Sequence, residues 1–188
     1  MKKLFDEVPR IVGESITLCP IDDADVDALQ ELVSNKHVYR FLPTFLFEKQ
    51  FDDMRDVVRN VYGELFANKE SLILGIRVNG ENHLCGLAEF YGLNDDLHKI
   101  SIGYRLLERY WRQGIATQTV SLMVGYLFGQ TDIQIITART MVENIASARA
   151  LEKNGFIRTA PGVEDDWGYE TPTIAEKWLR LRWPRPGN

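Results

Sequence analysis

The sequence predicts an α+β protein in which a mixed sheet carries helices on both faces. Three observations predict it. Two stretches with apolar residues at helical spacing enter early. Three strands then follow in an antiparallel meander that runs into a central helix. Two further helix–strand exchanges close the chain.

Residues 1–13 read as a mobile or loosely paired lead-in. Residues 15–20 (SITLCP) form a short strand. Asp22 caps a helix that runs to about Ser34, with Val26, Leu29, Leu32 and Val33 as its buried face. Asp23 and Asp25 sit favourably near its N-terminus. Residues 37–47 (HVYRFLPTFLF) are dense in aromatics, and Pro43 breaks any continuous helix there. A second helix follows over residues 48–68, striped by Phe51, Met54, Val58, Val61 and Leu65. Residues 71–78 are a strand. Asn79-Gly80 is a strong hairpin signal. The chain returns as a strand over residues 83–93, turns at Asn94-Asp95-Asp96, and forms a third strand over residues 99–106. There Ile100, Ile102 and Tyr104 point one way, while Ser101, Gly103 and Arg105 alternate between them. A charged turn, 107–113, leads into a helix over residues 114–128 that Gly129 stops. Residues 132–139 are β-rich. Asn144 caps a short helix to Asn154, with Gly155 at its C′ position. Phe156 opens a strand, residues 160–172 read as a loop, and residues 173–183 form the last strand, with Ala175, Leu179, Leu181 and Trp183 on one side. Pro184 and Pro186 end regular structure. The expected organisation is a lead-in (1–13), one domain (14–183) and a tail (184–188).

Composition narrows the function. A chain of 188 residues with 45% hydrophobic and 26% charged content is an ordinary soluble domain. The net charge of −5 argues against nucleic acid or an anionic membrane as the main partner. Cys19 and Cys85 lack ligand spacing, so no metal site is expected, and two small buried thiols fit a reducing cytoplasm. MKKLF is followed at once by Asp6, Glu7 and Arg10, which is not a signal peptide. No apolar run approaches spanning length.

The chain is organised around residues 98–129. A strand that runs into a glycine-bearing turn and then a helix aims unpaired backbone N–H groups at one point, a site for phosphate. Gly114 lets the backbone approach closely, Ala116 keeps the first helical turn free of bulk, and Arg109 and Arg112 flank it with positive charge.

These residues, Trp111-Arg112-Gln113-Gly114-Ile115-Ala116 after an I-G-Y strand, resemble the acetyl-coenzyme A site of the GNAT superfamily of N-acetyltransferases. Trp111 stands where most members carry Arg or Gln, as in the branch similar to the ribosomal-protein N-terminal (RimJ/RimL-like) acetyltransferases. Residues 144–156 (NIASARALEKNGF) resemble that branch's second signature, N-x-x-S-x-x-x-L-E-K-x-G-F, and the early segment through HVYRFLP agrees. The resemblance implies an acyl-CoA N-acyltransferase fold with a mostly antiparallel central sheet, and acetyl-CoA as cosubstrate with no metal. It implies that backbone groups of Tyr104, Arg105 and Leu106 pair with the pantetheine arm like an extra strand. Backbone N–H groups of Arg112, Gln113, Gly114, Ile115, Ala116 and Thr117 would hold the pyrophosphate. Asn144 would bond the arm near the thioester, and Ser147 would sit near the sulfur and donate to the leaving thiolate. Arg149 and Lys153, four apart on one stripe, either meet coenzyme phosphate or are solvated charge, and solvated charge is the expectation.

The implied reaction is direct attack of a free amine on the thioester. An α-amine, with a pKa near 8, is roughly one-tenth free at pH 7, whereas a lysine amine near 10.4 is free at only a few parts in ten thousand. An α-amine therefore needs only modest base help. The chain departs from related enzymes here. Leu151 stands where some branches place an acidic Tyr, and Ser101 where many members of this branch carry Glu. Residues 133–139 contain no Glu. Glu89, within the apolar run 84–91, and His98 remain as base candidates. Strand alternation equally allows Glu89 to face solvent, and His98 follows a turn. Tyr169 and Glu170 sit in a loop bordering the substrate entrance. Tyr39, Phe41, Phe45 and Phe47 are expected mostly in the core, with one or two lining the acceptor pocket. The acceptor implied is a protein or peptide N-terminal amine. A small amine (antibiotic, polyamine or amino-acid derivative) and a non-catalytic coenzyme A sensor are the alternatives. Exposed strand edges near the C-terminus leave room for a homodimer.

Overall fold

The computed structural model describes residues 1–41, 47–167 and 171–182. Its strands are β1 (Ile11–Val12), β2 (Ile16–Cys19), β3 (Ser71–Val78), β4 (Leu84–Asn94), β5 (Lys99–Leu106), β6 (Ile135–Met141), β7 (Ile157–Asp165) and β8 (Thr173–Leu181). They form one sheet in the order β1-β2-β3-β4-β5-β6-β8-β7. Every neighbouring pair is antiparallel except β5 and β6, which run parallel. The meander β3–β4–β5 is as the sequence predicts.

The strands are apolar on both faces because both faces are covered. Leu72, Leu74, Phe90, Ile100 and Ile102 pack against Val120, Met123 and Leu127 of the central helix (Ile115–Gln130). On the opposite face Ile73, Leu84 and Leu87 meet Leu29, Leu32 and Val33 of the first helix (Val26–Ser34), together with Met54 and Val57. That burial is the main stabilising term. The lead-in is tied down as well, since Leu4 is buried in the main core and β1 pairs with β2.

Several boundaries differ from expectation. The helix expected from residue 48 begins at Met54, because the Asp53 side chain accepts a hydrogen bond from the Arg55 N–H and caps it. Phe51 is left outside at 37% exposure, and residues Phe47–Gln50 form a separate 3₁₀ turn. This helix widens to a π-helical turn at Val57–Val61 before closing at Tyr62–Ala67. Gly129 does not stop the central helix. It ends one residue beyond, where Thr131 Oγ1 donates to the Leu127 carbonyl and Arg182 Nη2 donates to the carbonyls of Leu127 and Thr131. Residues 160–165 are strand, not loop. As an edge strand β7 absorbs Pro161 and Gly162 (φ 63°) in a bulge. In β8 the main-core side chain is Trp178, whereas Leu181 is 53% exposed. Trp183, Pro184 and Pro186 lie outside the described residues, as do Pro43, Phe45 and the side chain of Phe47.

Candidate active site

The parallel pairing of β5 with β6 covers three residue pairs, from Lys99↔Ile135 to Ser101↔Thr137. Beyond it the strands diverge. β5 follows β4 as far as Leu106↔Gly86, and β6 follows β8 as far as Met141↔Ala175. Residues 102–106 therefore present a backbone edge without a β6 partner. A groove of about 500 Å³ opens there.

Tyr104, Arg105, Leu106, Arg112, Gly114, Ile115, Ala116, Thr117, Asn144 and Ser147 all line this groove. Gln113 does not. Its Nε2 donates to the Arg109 carbonyl at 2.8 Å and closes the turn. Gly114 adopts φ +79°, which an unbranched, Cβ-free residue permits, and Arg112 is left-handed at φ +62°. The helical ladder begins with Gln118 N–H donating to the Gly114 carbonyl, so the three preceding amides have no helical partner. Trp111 pins the turn, its indole N–H donating to the Leu106 carbonyl at 2.9 Å. Arg109 is drawn away to an ion pair with Glu31, leaving Arg112 as the turn's arginine on the groove. Arg149 and Lys153, expected as solvated, stand exposed on the groove's rim.

The last helix (Ile145–Lys153) is held by Asn144, whose side-chain oxygen accepts from the Ser147 N–H at 3.2 Å. Ser147 Oγ accepts a hydrogen bond, 3.2 Å, from the Tyr104 hydroxyl. Burial pushes the Tyr104 phenol above its ordinary value. Sequence reasoning gave Tyr104 a backbone role only. The signal was its place with Ile100 and Ile102 on the helix-covered face. Leu151 is buried core.

On the other face of the sheet lies a cavity of about 150 Å³, lined by Glu89, Tyr91, Arg139, Asp166 and Trp167 among others. Groove and cavity share residues 102–105 and Arg139, so they meet across the opening between β5 and β6. Glu89 is 8% exposed and stands opposite Gly103. Its Oε1 accepts from Ser71 Oγ at 2.7 Å. The solvent-facing alternative for Glu89 does not hold. His98 sits in the turn before β5, away from both openings, 3.4 Å from Asp132. Ser101 Oγ bonds Thr137 Oγ1 at 2.8 Å, where the two strands last touch.

Two supports frame the cavity. Asp165 Oδ2 accepts from Trp167 Nε1 (2.9 Å) and Arg139 (3.0 Å), and Phe41 packs with Trp167 and Met141. Tyr39 is core. Beneath, Arg105 makes a buried ion pair with Glu48, which also accepts from the Tyr62 hydroxyl at 3.2 Å. Burial pushes the Glu48 carboxyl up, and the Arg105 charge opposes that shift. Tyr169 and Glu170 lie outside the described residues.

A family profile described as "Acetyltransferase (GNAT) domain" matches residues 15–157. The chain is 26% identical over 167 residues to "Uncharacterized N-acetyltransferase YoaA" of Bacillus subtilis (strain 168), covering 88% of this chain and 91% of that protein. Among solved structures it resembles RimL, a ribosomal L7/L12 alpha-N-protein acetyltransferase in complex with coenzyme A (TM-score 0.77, 20% identity, 92% of this chain and 98% of that one). It also resembles a spermidine N-acetyltransferase from Vibrio cholerae in complex with CoA and spermine (TM-score 0.74, 17% identity, 90% and 97%).

Proposed function

Because the chain belongs to the GNAT acetyltransferase family, we propose that it transfers the acetyl group of acetyl-CoA to a primary amine by direct attack, with a protein or peptide N-terminal α-amine as acceptor. The observation that carries this reading is the meeting of groove and cavity, with the Ser147 hydroxyl on one side of the opening and the Glu89 carboxylate on the other.

The groove's own features suit coenzyme A. Free amides at the start of the central helix suit a pyrophosphate. The edge of residues 102–106, which β6 does not pair, suits the amide-bearing pantetheine arm as a short added strand. Asn144 keeps its side-chain N–H₂ for the arm while its oxygen caps the helix. The sulfur then lies between the strands near Ser147.

The acceptor enters from the opposite face. Glu89, oriented by Ser71, takes a proton from the ammonium, directly or through one water, and the free amine attacks the thioester carbonyl. An α-amine needs only this modest help. Glu89→Gln should lower kcat by about 100-fold while coenzyme A affinity stays unchanged. Parallel kinetics and calorimetry check this, and an equal loss of coenzyme affinity would make Glu89 structural.

A polyamine acceptor is the second reading. The presence of both Asp166 and Glu89 in the cavity's lining favours it, because two carboxylates suit a polycation. A thiol-release assay against α-amino peptides, aminoglycosides and polyamines decides between them. Release with polyamines but not with peptides would replace the α-amine reading.

A further inference from the structure

We infer that Tyr104 is a positioning residue for leaving-group departure: its phenol fixes the direction of the Ser147 hydroxyl, so that the serine's one proton points into the coenzyme groove. The inference rests on the reading of Ser147 as donor to the leaving sulfur.

A serine hydroxyl carries one proton and two lone pairs. On its own it rotates, and in a helix it commonly turns back to a carbonyl one turn earlier. Here the Tyr104 hydroxyl donates to Ser147 Oγ, and among the described residues this is the one side-chain hydrogen bond that Oγ makes. The serine backbone is fixed separately, through its N–H to Asn144. With one lone pair occupied by the phenol, the serine proton is left for the groove, which both residues line. The tyrosine is held from the sheet and the serine from the helix, 43 residues apart, so the pair reports correct seating of the helix over the opening. Burial keeps the phenol protonated well into the alkaline range, and it stays a donor wherever the enzyme works.

In the step itself the amine nitrogen–carbonyl bond forms and the carbon–sulfur bond breaks, its electron pair leaving on sulfur. The ammonium nitrogen sheds two protons. One ends on the sulfur by way of solvent and the other is released. Serine is a far weaker acid than a thiol, so it serves as an aimed hydrogen-bond donor while charge develops on sulfur. It does not become an alkoxide.

The test is a double-mutant cycle in the intact protein with Tyr104→Phe, Ser147→Ala and both together, read as single-turnover rate and acetyl-CoA KM. Tyr104→Phe removes one hydroxyl and keeps the ring. We expect a rate loss of about 10-fold for Tyr104→Phe and about 30-fold for Ser147→Ala, with the double variant no slower than Ser147→Ala and KM within about 2-fold throughout. Ser147→Thr keeps the hydroxyl and should retain both the rate and its dependence on Tyr104. If Tyr104→Phe lowers the rate by the same factor in the Ser147→Ala background, or acts through KM, Tyr104 does not work through Ser147 and the inference is overturned. If Ser147→Ala leaves the rate unchanged, the reading of Ser147 itself fails, which is a separate result.

Discussion

Gly114→Glu should weaken coenzyme A binding by more than about 100-fold and lower the melting temperature by only a few degrees. The new carboxylate would point from the turn where three amides lack a helical partner. At an effective dielectric of about 20, two unit charges 4–5 Å apart repel by about 3–4 kcal/mol. Packing is not the issue, because a Cβ at Gly114 meets nothing within 4 Å. The backbone is, because φ is +79° there. A side chain in that conformation costs about 1–2 kcal/mol. Gly114→Ala separates the two effects. It carries the same backbone strain without the charge, so it should melt like Gly114→Glu and bind coenzyme nearly like the native chain. Calorimetric titration and thermal melting of both variants check this. Equal affinity in Gly114→Glu and Gly114→Ala would remove the turn from the phosphate site.

Arg105→Ala should cost about 3–5 kcal/mol of stability, because it leaves the Glu48 carboxylate buried without its counter-charge. In a domain of this size that is a fall of about 10 °C or more in melting temperature. The loss should depend on pH in a definite direction. Burial raises the folded-state pKa of Glu48 above its ordinary 4.5, and removing Arg105 raises it further. A raised acid favours the folded state only when protonated. The deficit is therefore smallest near pH 4.5 and grows as pH rises through the raised folded value. Melting curves for native and Arg105→Ala protein at about pH 5 and about pH 8 test this, the gap being wider at the higher pH. Adding Glu48→Gln to Arg105→Ala should recover part of the loss. A gap of equal size at both pH values would mean that lost packing of the arginine stem, and not the stranded carboxylate, sets the cost.

The parts of this molecule that the sequence reveals are those set by local chemistry. The strand and turn of residues 99–114, the start of the central helix and the Asn144 cap depend on neighbours within a few residues, and they stand where expected. What tertiary contacts decide is harder to read. Pro161 and Gly162 carry turn chemistry, but an edge position lets a strand run through them. Gly129 offers a helix stop, yet the helix runs one residue further, to where Thr131 and Arg182 supply partners. Glu89 could not be oriented by alternation, because β4 is buried on both faces and both sides of the strand read as apolar. Tyr104 and Ser147 meet from distant points in the chain, as do Glu48 and Arg105. Family membership supports an acetyltransferase over the non-catalytic coenzyme A sensor.

The brevity of the β5–β6 ladder has a consequence for the protein as a working object. One half of the sheet, β1 to β5, and the other, β6 to β8, are stitched directly by three residue pairs, and the remaining length is a seam left open by the chain. A molecule that lies in this seam and bonds to both banks adds the missing stitches. Its binding energy is then also cohesion between the halves, growing with the logarithm of its concentration. On the proposed reading the acyl donor is such a molecule, and the fold would be tighter when the donor is abundant than when it is scarce.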